Sequence, residues 1–166
     1  MTFFGYWGLA GFLLILLQAV IRLGPKAVDS IQNYSWSTWD WMLFVVIILF
    51  MGISEGYKGF QKQVAPRAVA RAHSLSAGSP LLHKALAPFF CMSLFHATKK
   101  RLIVSWCVYA GIVCLILIVR QIPQPYRGMV DAGVVVGLAW GMIAIGANLI
   151  LVLTGSPAAD PELPGE

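Results

Sequence analysis

Four stretches of this sequence are long and apolar enough to cross a lipid bilayer, and nothing else in it constrains the fold as strongly. A hydrocarbon core takes about 20 apolar residues in helical form. Residues 3–23, 38–57, 102–122 and 129–154 each supply that length. The composition agrees. The chain is 58% hydrophobic and 11% charged, where a soluble domain is about a quarter charged. Mean hydropathy is +0.76. A water-soluble fold needs more polar surface than this, so the sequence predicts an all-α membrane protein. The expected architecture is a four-helix transmembrane bundle with a cytoplasmic loop that carries a short interfacial helix.

The ends of the runs carry their own signals. Tyr6 and Trp7 open the first run, and Trp36, Trp39 and Trp41 crowd the start of the second, where amphipathic rings prefer the headgroup level. Gly24-Pro25 is expected to end the first helix. Pro123 and Pro125 close the third, and the few residues before Met129 predict an antiparallel hairpin between the third and fourth helices. Residues 1–154 read as one transmembrane domain. Residues 155–166, with three prolines and three acids, read as a disordered acidic tail. No cleavable signal peptide is expected, since no basic segment precedes the first run and no small-residue site follows it.

The loop 58–101 carries eight of the twelve Lys and Arg residues, against four on the opposite side. By the positive-inside rule the loop and both termini are expected in the cytoplasm, with the chain in a plasma or inner membrane. The same clustering assigns the net charge of +5 to topology rather than to nucleic acid. Within the loop, Pro66 is expected to open a short basic helix over residues 67–73. Residues 81–98 form a second apolar stretch too short to span, expected as a helix on the membrane surface. Its flanking bases Lys84, Lys99, Lys100 and Arg101 are then expected to contact anionic headgroups.

No Asp, Glu, Lys, Arg or His falls near the middle of any run. A charge there costs about 2.5–3.5 kcal/mol on insertion scales and is kept for use, as in ion-coupled transporters. Glu55 lies about one turn from the inner interface and is expected as a structural carboxylate near Lys58 and Lys62. Asp40, Arg120 and Asp131 are expected as an outer salt-bridge layer tying helix ends together. His73, His83, His96 and Cys91 lack metal-ligand spacing, so no metal is expected and no cofactor is identified. Cys107 and Cys114, seven residues apart, share a helix face and read as packing residues.

The clearest pattern is Gly133, Gly137 and Gly141, two small-xxx-small steps on one face of the fourth run. Such a stripe lets a second helix backbone approach closely, which drives association where the hydrophobic effect is absent. Gly5, Gly8 and Gly11 form a looser stripe in the first run, expected as its counterpart. With no phosphate loop and no nucleophile–base set, the chain is expected to be a non-enzymatic protein that works by association. Its partners are then the lipid bilayer and other membrane protein subunits or itself, as an accessory subunit of a larger complex or a homo-oligomer. The alternatives are a small channel or transporter with its path between protomers, and a lipid- or pigment-binding protein.

Overall fold

The first apolar run continues through its proline. In the computed structural model, which describes residues 1–76 and 78–164, helix α1 spans Phe3–Asn33 with Pro25 inside it. The expected break at Gly24-Pro25 does not occur because the far end of the helix is held from outside. Ser30 is buried, its hydroxyl donates to the carbonyl of Pro125 at 2.8 Å, and Trp36 Nε1 donates to the carbonyl of Ser30 at 2.9 Å. Tertiary contacts override a local breaker worth about 3 kcal/mol.

Helix α2, Thr38–Met51, starts at a reciprocal cap in which Ser37 Oγ accepts from the Asp40 amide and the Asp40 carboxylate accepts from the Ser37 amide. It does not end near Tyr57. It runs on as a π-helical stretch, Gly52–Val64, and then as α3, Ala65–Ser74. The result is an unbroken helix of 37 residues, on the order of 50 Å long. The short basic helix expected at 67–73 is therefore the end of the second long helix. Hydrogen bonds in a π-helix run to the fifth residue rather than the fourth, giving a wider turn. Met51, Gly56, Phe60 and Ala65, five, four and five residues apart, consequently all face the bundle.

Beyond it come two five-residue helices, α4 (Leu81–Ala85) and α5 (Ala87–Cys91), then α6 (Lys99–Val119) and α7 (Tyr126–Leu153). No strand occurs among the described residues. Four helices, Phe3–Asn33, Thr38–Ser74, Lys99–Val119 and Tyr126–Leu153, are long and apolar enough to cross a membrane. The stretch 81–98 is not the single surface helix expected of it. Pro88 restarts the chain at the first turn of α5, and Ser93 and His96 adopt positive φ of 59° and 50°, values a helix cannot contain.

Three of the long helices pack together. Leu9, Phe12 and Leu16 of α1 meet Ala65, Ala68, Val69 and Ala72 of α3 and Ala144 and Ile145 of α7 in one buried cluster. Alanines on α3 keep the backbones close, which maximises dispersion contact. Met1 and Val152 border the same cluster, and the Thr2 hydroxyl donates to the carbonyl of Leu75. The start of α1, the end of α3 and the end of α7 thus share one end of the bundle, called here the loop end.

Helix α6 does not join this packing, and the expected hairpin with α7 is absent. From Trp106 to Ile118 its residues are exposed, apart from half-buried Tyr109. Of its whole length only Ser105 and Val119 are buried. The observed core is a three-helix bundle with a fourth apolar helix beside it.

The glycine stripe of α7 faces the end of α2 and the π-helical stretch that continues it. Gly133 lies against Ile47 and Met51, Gly137 against Glu55, and Gly141 against the Phe60 ring. The α1 stripe is not its counterpart: Gly5 meets the Ala72 backbone, Gly8 meets Cys91 and Ala87, and Gly11 meets Pro88. Gly8 and Gly11 seat α5 on α1, and Gly5 seats the end of α3 there.

A Cβ at Gly141 would lie 2.6 Å from Phe60 ring atoms, whereas at Gly137 its closest neighbour would be Glu55 Cβ at 3.3 Å. The middle of the stripe is therefore not its tightest point. Gly141→Ile should lower thermal stability in detergent by more than Gly137→Ile, each within the range of about 1–3 kcal/mol typical of overpacking. Gly146→Ile, where nothing lies within 4 Å, should be nearly silent. Equal behaviour of all three would contradict the described seam.

Candidate functional site

Polar chemistry concentrates at the loop end, around three arginines and one glutamate. Arg71, on α3, is 0% exposed. A buried guanidinium survives only when its donors are matched. Here Nε donates to the carbonyl of Phe90 at 2.6 Å, Nη1 to that of Pro161 at 2.9 Å, and Nη2 to those of Phe95 and His96 at 3.0 and 2.9 Å. The plane also lies over the Phe90 ring, 4.2 Å from its centroid. The acceptors come from α5, from the turn after it and from the C-terminal segment. One side chain thereby ties three parts of the chain together.

The C-terminal segment, expected to be disordered, is held at residues 161–163. Leu163 packs against Leu75, Ala87 and Phe90. The Thr98 amide donates to the carbonyl of Glu162 at 3.0 Å, at the start of α6. The Glu162 carboxylate lies between Arg67 Nη1, at 3.6 Å, and Arg101 Nε, at 3.5 Å. These are long for charge-assisted contacts, which close to about 2.7–2.9 Å when well formed. Beside them a pocket of about 230 Å³ opens between the π-helical stretch and α6, lined by Arg67, Arg101, Ser105, Val64, Val104 and Tyr109 among others.

Cys91 also borders this pocket. Burial pushes its thiol up to about 12, outweighing the nearby positive charge of Arg71. It is a protonated packing thiol at neutral pH. His83 stacks on Phe90 and lies 4.4 Å from the His96 ring. Burial, His96 and Arg71 all push its pKa down. Among the described residues no three His, Cys, Asp or Glu side chains converge on a metal-sized point.

The residues singled out in the sequence divide here. Lys99 and Lys100 are exposed. Lys84 lies over the Phe4 ring at 5.1 Å. Arg101 is partly buried, with its Nε 3.5 Å from the Glu162 carboxylate. Asp40, Arg120 and Asp131 do not form a layer. Asp40 caps α2, Asp131 approaches Arg127 of its own helix at 3.9 Å, and Arg120 is exposed at the end of α6. Glu55 is half-buried in the seam between the π-helical stretch and α7 and, among the described residues, forms no ion pair with Lys58 or Lys62; Lys62 lies over Tyr57 instead. Arg71 is the important residue that sequence reasoning missed. Its one signal is the apolar run Ala68-Val69-Ala70 before it, which places it on a buried turn.

Comparison with protein-family models, with curated protein sequences and with solved structures returns no match.

Replacing Arg71 with Met should cost about 3 kcal/mol or more, because four carbonyls lose their donor and each buried unsatisfied group costs about 1–3 kcal/mol. Arg71→Lys should recover little, since an ammonium has no planar fork to span these acceptors. Limited proteolysis should cut residues 155–164 faster in both variants. In the folded wild type, Cys91 should resist maleimide at pH 8 and react once the protein is unfolded. Rapid labelling of folded protein would show that the thiol is neither buried nor protonated.

Proposed function

We propose that this chain works by association within the membrane, as an accessory subunit of a larger complex or as a homo-oligomer, and that α6 is the helix that docks. The carrying observation is the isolation of α6. A span with apolar residues all round is ordinarily buried among other helices or faces lipid, and here the other three helices pack without it. Cys107, Ala110, Gly111 and Cys114 fall at helical spacing on one exposed face, the small-residue pattern that lets membrane helices approach closely. Nothing lies within 4 Å of a Cβ built at Gly111. The glycines of α7, by contrast, are already occupied by α2 and the π-helical stretch and serve the fold of the chain itself.

In this reading the loop end is cytoplasmic. The bases Lys84, Lys99 and Lys100, with Arg67, Arg71 and Arg101, lie at or near it, whereas Lys58 and Lys62 sit further back along the second long helix. The chain's start and the end of α7 sit at the same end, so both termini are cytoplasmic too. The chain itself then has no enzymatic role: the loop-end cluster holds a protonated thiol and paired arginines, not a nucleophile beside a base.

Two experiments test this. First, Gly111→Ile should leave thermal stability unchanged, because the site is open, yet reduce co-purification of a membrane partner, or of a differently tagged copy, several-fold from native membranes in mild detergent. Undiminished co-purification would remove α6 from the interface. Second, in a background with Cys91, Cys107 and Cys114 replaced by Ala, a cysteine at exposed Ser35 should label from outside intact cells and one at exposed Ser76 should not. The reverse pattern would invert the topology.

A further inference from the structure

We propose that the pocket between the π-helical stretch and α6 takes the phosphate of an anionic membrane phospholipid, and that the Glu162 carboxylate competes for the same two arginines. The proposal does not rest on the docking role of α6: the anion-facing groups Arg101 and Ser105 lie round the helix from Cys107 and Cys114.

The first support is unmatched polar capacity. Among the described residues, Arg67 Nε and Nη2, Arg101 Nε and Ser105 Oγ are buried without a hydrogen-bond partner. Ser105 is only 3% exposed and lines the pocket. Buried donors of this kind cost about 1–3 kcal/mol each when unsatisfied, so a site that holds several together is organised for an acceptor. Arg71 adds positive charge nearby, with its own donors already spent on carbonyls.

The second support is the poor fit of the acceptor now present. Glu162 approaches both guanidinium groups at 3.5–3.6 Å and contributes one charge against two. A phosphodiester also carries one negative charge, but spreads it over oxygens that reach both guanidiniums, the geometry arginine matches bidentately.

The third support selects lipid over a free anion. Besides the two arginines and Ser105, the lining includes the apolar side chains of Val64, Val104 and Val108. From Arg101 to Tyr109 the pocket follows α6 for about 12 Å, from the polar start of the helix into its apolar part. A headgroup phosphate at the arginines leaves an acyl chain lying along α6, where hydrocarbon belongs. A soluble phosphate has nothing to place there.

The test uses the full chain, purified and delipidated in a neutral detergent, with phosphatidylglycerol, phosphatidylcholine and inorganic phosphate added separately. Native mass spectrometry reads bound lipid, and thermal shift reads all three. Phosphatidylglycerol should bind on the order of tenfold more tightly than phosphatidylcholine. Arg67→Gln with Arg101→Gln should erase that preference, and Ser105→Val, which leaves the arginines and the fold in place, should weaken it. Glu162→Gln should strengthen phosphatidylglycerol binding several-fold by removing the competitor. Equal binding of the two lipids by the wild type would overturn the site. Inorganic phosphate stabilising the chain as well as phosphatidylglycerol would overturn its assignment to lipid. Unchanged affinity in Glu162→Gln would overturn the competition by the tail.

Discussion

The loop end is organised by the burial of one guanidinium. Carrying Arg71 out of water is costly, and the cost is met because its hydrogen-bonding edges reach carbonyls of α5, of the turn after it and of the C-terminal segment. Those carbonyls belong to irregular backbone, which has no internal ladder to satisfy them. The dependence is mutual: the loop and tail hold their shape because Arg71 supplies donors, and Arg71 is tolerable because they supply acceptors. Removing either side leaves buried polar groups without partners. That makes this corner of the molecule more cooperative than the apolar seams, where each contact contributes separately.

The helices obey a different logic. Between apolar spans in a bilayer there is no hydrophobic gain from association, so close backbone approach and dispersion contribute most. Both observed seams use small residues against larger ones. The glycines of α7 receive Met51, Glu55 and Phe60 of the second helix, and the glycines of α1 receive α5 and the end of α3. The π-helical stretch brings the second helix into this scheme. Its wider turn keeps Met51, Gly56 and Phe60 on α7 and then delivers the alanine face of α3 to α1. Without that change of period, a helix that packs well on α7 at Met51 would rotate away before reaching Ala68.

What was legible in the sequence follows from this division. The four apolar helices and the stripe at Gly133, Gly137 and Gly141 depend on local composition and spacing, so residue order alone reveals them. The extension of α1 past Pro25 was hidden because its support, Pro125 and Gly128, is about a hundred residues away. The continuation of the second helix beyond Tyr57 was hidden by Pro66, which reads as a beginning but is accommodated in the first turn of α3. The ordering of Pro161 to Leu163 was hidden because a proline-rich acidic tail looks the same whether or not a buried arginine waits for its carbonyl. The supposed outer layer failed for a related reason: Asp40, Arg120 and Asp131 share a depth, but depth does not place side chains within reach of one another.

Counting charges also conceals what each charge does. The central loop's bases weigh equally in a topology rule, yet the structure separates them. Lys58, Lys99 and Lys100 remain at the surface and Lys62 lies over Tyr57, whereas Arg67, Arg71 and Arg101 turn inward. The division follows chemistry. A lysine ammonium is a compact, strongly hydrated charge and stays in water, while a guanidinium is weakly hydrated and planar and accepts burial when its fork is matched. All three inward residues are arginines, and the other five bases of the loop are lysines. Every guanidinium nitrogen of Arg71 is matched by a carbonyl, and Arg67 and Arg101 are matched only loosely by the one carboxylate of Glu162. That gradient, from a saturated cation to an under-satisfied pair facing the start of an apolar helix, separates the part of the cluster that holds the fold from the part left open to an anion.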